Sequence, residues 1–369
     1  VLYAPGFPPE FLSISFQMSD TFRELLKAIG SGVHTGKDLT RAEAELATRL
    51  MLTEEATPAQ IGAFMIAHRI KRPSVEELAG TLDAYDALGP KISIATATFS
   101  RPVTVFGNPY DGRSRTAPVM PVTALVLAAA GVPVVLHGGE RMPTKYGFSS
   151  VEIWRELGLD FTGLSLAEVK DCLVETGLTH VYTPKHFPAV QALVPYRDQI
   201  GKRPPMATVE LIWSPIEGNI HQISGFVHPP TEERFRETLT LRGVHHFTTV
   251  KGLEGSCDLP CSRAAITGYT DPSEPNQFTR FVINARERDF NPLDRDLVSL
   301  DTLVKQLRDL IEGKENELTD AAIFNAGFYL WRCGVIGELA DAFPDARTLL
   351  REGKALAKLQ QIERFLTER

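Results

Sequence analysis

Cysteine is scarce in this chain. Cys172, Cys257, Cys261 and Cys333, scattered over 369 residues, are too few for a disulfide framework, which suits a reducing cytoplasm. Long uncharged apolar runs are missing too. The nearest approach, Val119 to Val135, contains Pro121 and Gly131 and falls short of the roughly 18 residues that a spanning helix needs, so no membrane helix is expected. Nor is there an excess of basic charge: the net charge of -7 gives no global attraction to nucleic acid or anionic lipid, and any basic site has to be local. Low-complexity tracts and fixed-period repeats are lacking, which removes linkers, solenoids and disordered arrays. What is present is ordinary globular composition, 43% hydrophobic and 23% charged with 28 Gly and 25 Pro. The length exceeds the roughly 250–300 residues of one core, so two packed units are expected.

Residues 1–17 hold three prolines and no clear periodicity, and are expected to be a leader outside the fold, with Met18 as the natural start. A secretory signal is disfavoured by the absence of a basic n-region and a small-residue cleavage site. Residues 18–95 read as a small helical unit with an excursion near 188–203. Three starts there carry the capping-box spelling, Thr40 with Glu43, Thr57 with Gln60 and Ser74 with Glu77, and Pro58 stands at a first helical position. After Gly89-Pro90, residues 96–369 alternate short apolar strands with helices. Strands are expected at Val103–Phe106, Val134–Leu136, His180–Tyr182, Gln222–Val227 and His246–Val250. This is an α/β unit with a mostly parallel central sheet, closed by four helices from about Leu300 onward.

Several segments in this order resemble the anthranilate phosphoribosyltransferase family, also called glycosyltransferase family 3. They are Gln60 to Lys71, Leu127 to Gly131 leading to His137-Gly138, Gly225-Phe226-Val227-His228-Pro229, Asn325-Ala326-Gly327, and Gly353-Lys354-Ala355-Leu356. The resemblance runs from about Thr21 to Leu366. It implies a helical domain packed on an α/β domain, a cleft between them, phosphoribosyl transfer in tryptophan biosynthesis, and a homodimer formed through the helical part. Leu25, Leu26, Leu46, Leu50 and Phe64 are the expected apolar faces of those helices.

The family's phosphate motifs map onto this sequence with changes. The GTGGD loop, in which bare glycines let backbone N–H groups approach phosphate, reads Gly107-Asn108-Pro109-Tyr110-Asp111-Gly112. Gly107, Asp111 and Gly112 match; Pro109 and Tyr110 replace the two central glycines. Polar family positions downstream become Pro118-Val119-Met120-Pro121, and the KHGN motif becomes Leu136-His137-Gly138-Gly139. Thr144, Lys145 and Gly147 follow at family offsets. Together Gly107, Asp111, Gly112, His137, Gly138, Thr144, Lys145 and Gly147 are the expected phosphate and ribose cleft. The family's metal-binding acidic pair falls near Gly252-Leu253-Glu254-Gly255-Ser256-Cys257-Asp258, so Glu254 and Asp258 are the candidate oxygens for Mg²⁺. Cys257 and Cys261 have no second pair at zinc spacing. At the acceptor site, Arg197 matches the family arginine that meets the anthranilate carboxylate, with His186 and Phe187 in the neighbouring turn. No catalytic residue is assigned.

Plainer readings stand beside these. Lys145 and Arg197 also read as surface cations, His137 as a structural histidine, and Tyr110 and Phe187 as packing groups. The plainest function is a structural or regulatory pseudoenzyme with no ligand, and two others follow. One is pentosyl or phosphoribosyl transfer to an aromatic or nitrogenous acceptor, with conversion of anthranilate itself very weak or absent. The other is a non-catalytic paralogue binding nucleic acid or another anion, for which Arg113, Arg115, Arg141, Lys145, Lys185, Arg197, Lys202 and Arg203 would line one basic cleft.

Overall fold

The computed structural model describes residues 9–32, 34–271 and 273–368. Four helices open the chain: α1 (Pro9–Gly30), α2 (Arg41–Leu52), α3 (Pro58–Lys71) and α4 (Val75–Leu88). All three expected capping boxes form, each with the N-cap hydroxyl and the third-residue side chain satisfying one another's backbone N–H groups. The helical pattern starts nine residues before Met18, at Pro9, so Pro9 to Gln17 are continuous with α1; residues 1–8 lie outside the described residues.

The α/β unit begins with β1 (Ile92–Ser93), β2 (Val103–Gly107), α5 (Met120–Ala129), β3 (Val134–Gly138), α6 (Ser150–Glu156), α7 (Leu166–Thr176) and β4 (Leu178–Tyr182). Four short helices follow, α8 (Thr183–His186), α9 (Pro188–Gln191), α10 (Val194–Gln199) and α11 (Met206–Val209). The chain then forms β5 (Ile216–Glu217), β6 (Ile220–Gly225), α12 (Pro229–Leu241) and β7 (Phe247–Val250), then the strands β8 (Ala265–Asp271) and β9 (Glu274–Ile283). It ends with α13 (Leu300–Ile311), α14 (Thr319–Arg332), α15 (Leu339–Arg351) and α16 (Lys354–Thr367).

Among the described residues the main sheet has the order β4-β3-β2-β6-β7-β8-β9, parallel from β4 to β7 and antiparallel through β8 and β9. The expected parallel strands are present with ends shifted by a residue or two. The β8–β9 hairpin is an addition that the α/β alternation did not signal. The interior strands β2 and β3 are buried at every position, and α5, apolar on all sides, lies under α14 and α16.

A second core fills the helical unit. Phe22, Leu25, Leu50, Phe64 and Tyr85 meet Phe187, Leu193, Val209 and Trp213 there, so the excursion extends through α11 to Trp213. Leu25, Leu50 and Phe64 are thereby consumed inside one chain, which corrects their assignment to a dimer face. The β1–β5 pair, Ile92 beside Ile216 and Ser93 beside Glu217, ties the two crossings between the units together. No helix among the described residues is long and apolar enough to cross a membrane.

Candidate functional site

Strand order reverses between β2 and β6: the chain proceeds outward through β3 and β4 on one side and through β7 on the other. The carboxyl ends of parallel strands at such a point flank a crevice, and here the loops after Gly107 and Gly225 do so. A cavity of about 510 Å³ opens there between the units, lined by Arg69 from α3, Asp111, Thr144, Lys202, Arg203, Glu210 and His228.

The loop after β2 is closed by the protein itself. A Cβ on Gly107 would lie 2.0 Å from the Leu211 carbonyl oxygen, and one on Gly112, at φ +77°, 2.5 Å from that of Gly147. These glycines permit backbone to approach backbone, not a ligand. Tyr110 turns inward and shares a 2.6 Å hydrogen bond with His137 Nδ1, both side chains buried. Burial pushes the His137 pKa down to about 3, which favours the neutral imidazole. His137 and Gly138 line a separate cavity of about 50 Å³ walled by Pro118, Met120, Pro121, Phe148 and Trp154.

Charged groups next to this loop are matched among themselves. Asp111 is buried, pairs with Arg203 and stands 3.5 Å from Lys145 Nζ. Lys145 Nζ is also 3.6 Å from Glu254, and burial lowers its pKa despite both carboxylates. Glu254 has a left-handed backbone, φ +55°, and its carboxylate accepts the backbone N–H groups of Ser114, Arg115 and Thr116 at 3.2, 3.0 and 3.0 Å. Burial raises its pKa, but those N–H donors and the Arg113 and Lys145 charges outweigh it and leave the carboxyl at about 2. Arg113 inserts between the two candidate metal ligands, 2.7 Å from Asp258 and 3.3 Å from Glu254.

The acceptor candidates separate. Arg197 is buried and bonded to Glu210, which is equally buried. Desolvation, reinforced by Asp111 and opposed by Arg197, pushes the Glu210 pKa up to about 7. The space between them, Tyr85, Tyr110 and Met65 is about 10 Å³, room for roughly one water. Phe187 belongs to the helical core, 5.2 Å from Tyr85 and 5.7 Å from Trp213 between ring centres, and His186 Nε2 bonds to the Leu164 carbonyl at 2.9 Å. Neither faces the cleft.

Glu210 is the residue that the sequence reading passed over. Its signal was there: a lone carboxylate inside the otherwise charge-free run Met206 to Trp213 requires a buried partner. The expected basic stripe also dissolves. Arg113 and Arg197 are consumed in buried pairs, Arg141 pairs with Glu152, and Lys185 Nζ donates to the Gly163 carbonyl.

Residues 23–89 match the helical bundle domain of the glycosyl transferase family and residues 112–356 match its α/β domain. The chain belongs to this glycosyl transferase family. Among curated family members, the anthranilate phosphoribosyltransferase of Methylobacterium radiotolerans is 28% identical over 361 residues, 94% of this chain and 96% of that protein. That of Anaeromyxobacter dehalogenans is 29% identical over 332 residues, 89% and 94% of the two chains. Two solved structures share the fold. The anthranilate phosphoribosyltransferase of Thermus thermophilus has a TM-score of 0.74 at 20% identity, with 94% of this chain and 99% of that chain covered. The Saccharomyces cerevisiae enzyme in complex with phosphoribosyl pyrophosphate and Mg has 0.81 at 13%, with 96% and 100% covered.

Magnesium binding needs open, hard oxygen ligands near octahedral geometry. In this family member Glu254 is committed to backbone N–H groups, and one Asp258 oxygen is held by Arg113 and the Val119 N–H. Only the other Asp258 oxygen lacks a partner. No group of three or more His, Cys, Asp or Glu among the described residues could hold a metal. The expected pair Glu254 and Asp258 converges on an arginine, and the donor set does not fit Mg²⁺.

Proposed function

We propose that this family member binds a small phosphorylated sugar of the phosphoribosyl pyrophosphate type in the interdomain cleft, as the basis of phosphoribosyl transfer to an aromatic or nitrogenous acceptor. The observation that carries this reading is the 510 Å³ cavity at the carboxyl ends of the parallel strands, where Arg69, Lys202 and Arg203 of the helical unit, the last paired with Asp111, face the α/β unit. The names of the relatives support it, and so does the yeast structure holding phosphoribosyl pyrophosphate on the same fold.

Conversion of anthranilate itself is expected to be very weak or absent. Its carboxylate would meet an Arg197 already bonded to Glu210, in a space that holds about one water. The nucleic-acid reading loses part of its support, since Arg113 and Arg197 are held in buried pairs and Arg141 in a surface pair with Glu152.

Calorimetric titration of the full chain with phosphoribosyl pyrophosphate, beside a single-stranded oligonucleotide at several salt concentrations, tests the proposal. Saturable binding of the small ligand with a shallow salt slope is the expected result. A steep slope, near roughly -0.7 per phosphate contact on the oligonucleotide, with no small-ligand binding would overturn it.

A further inference from the structure

We infer that Arg113 is a built-in cation standing in for a divalent metal at the acidic stretch after β7, so that this site is made for use without metal. The inference follows from the disagreement between the donor set and Mg²⁺ and does not depend on which anion occupies the cleft.

The guanidinium is used on every side. Nη1 donates to Asp258 at 2.7 Å and to Ser256 Oγ at 2.8 Å, Nε to Glu254 at 3.3 Å, and Nη2 to Thr116 Oγ1. Only 5% of Arg113 is exposed. A planar fork that satisfies two carboxylates and two hydroxyls in a buried setting is an arginine property that a flexible surface cation lacks.

The anionic partner fixes the cation in return. Glu254 grips the three successive N–H groups just after Arg113, so the carboxylate that receives the guanidinium also sets the loop that delivers it. The local negative charge is then already compensated: Arg113, Lys145 and Arg203, with the exposed Arg115 at 3.8 Å from Glu254, face Asp111, Glu254 and Asp258. Adding a divalent cation would leave two positive charges uncompensated in a poorly hydrated place, which is costly. Removing Arg113 would instead leave two carboxylates facing one another, and a metal ion would relieve that repulsion.

The test reads metal uptake, with no anion present, so it is separate from the ligand titration above. Mn²⁺ is titrated into the full chain while free Mn²⁺ is followed by its electron paramagnetic resonance signal, for the native protein and for Arg113→Gln and Arg113→Lys. The native protein and Arg113→Lys, which keeps the charge, are expected to take up no Mn²⁺ below the millimolar range. Arg113→Gln, shown folded by circular dichroism, is expected to bind one Mn²⁺ at least tenfold more tightly than the native protein. Stoichiometric micromolar uptake by the native protein would overturn the inference, and so would a folded Arg113→Gln with no gain. If Arg113→Gln does not fold, the native titration decides alone.

Discussion

The Tyr110 hydroxyl and His137 Nδ1 lie 2.6 Å apart, joining the loop after β2 to the end of β3 inside the protein. A phenol thus fills the position where the family motif has a bare glycine, and its ring closes edge-on over a neutral imidazole. Tyr110→Phe leaves that buried nitrogen without its partner and is expected to destabilise the fold by about 1–3 kcal/mol. Urea unfolding with an unchanged m-value is the measurement; an unaltered midpoint would show that the bond contributes nothing.

Arg197 and Glu210 form a buried pair, so removing one partner leaves the other a buried polar group without its bond. Arg197→Ala is expected to cost roughly 3–5 kcal/mol, whereas replacing both by Met and Leu costs far less than the two single changes added together. A double-mutant cycle reads this directly. Additive costs would mean that the two residues act independently.

Acid stability follows from the depressed carboxyls. Glu77 is buried against Lys71 at 2.7 Å and the Leu39 N–H at 2.9 Å; burial raises its pKa, but His68 and these donors bring it to about 2, as for Glu254. Both folded values lie below the unfolded value near 4.5, so their contribution is complete above that pH and is lost as pH falls from about 4.5 toward 2. Glu210 has the opposite sign. Its folded value of about 7 lies above the unfolded one, so its contribution declines as pH rises from about 4.5 to 7. Unfolding midpoints across pH 2 to 8 should fall steeply at the acid end, and Glu210→Gln should flatten the slope between pH 5 and 7.

Ligand affinity should track the cations that line the cleft. Lys202→Ala and Arg203→Ala are each expected to weaken phosphoribosyl pyrophosphate binding about tenfold or more, on the scale of charge-assisted hydrogen bonds. Arg115, largely exposed and absent from the cavity lining, serves as the control and should not change the affinity. Equal effects at all three would point to diffuse attraction instead of a built site.

Much of this protein was determined by sequence alone, because the signals involved are local. Thr40, Thr57 and Ser74 with their partners three residues on started helices for reasons contained within one turn. The short apolar runs of β2, β3 and β7 announced buried parallel strands in the same way. The motif glycines at 107, 112 and 147 were legible as positions of close approach, but not what approached them.

Only the tertiary structure decided which charges meet. Arg113 and Glu254 are 141 residues apart in sequence, and Arg197 and Glu210, 13 apart, are separated by a loop and α11 whose path no periodicity specifies. A cation on a loop has the same sequence signature whether it faces solvent, a phosphate or an internal carboxylate. Its fate depends on burial and on the distance to the nearest opposite charge, and both are set by how the two units pack.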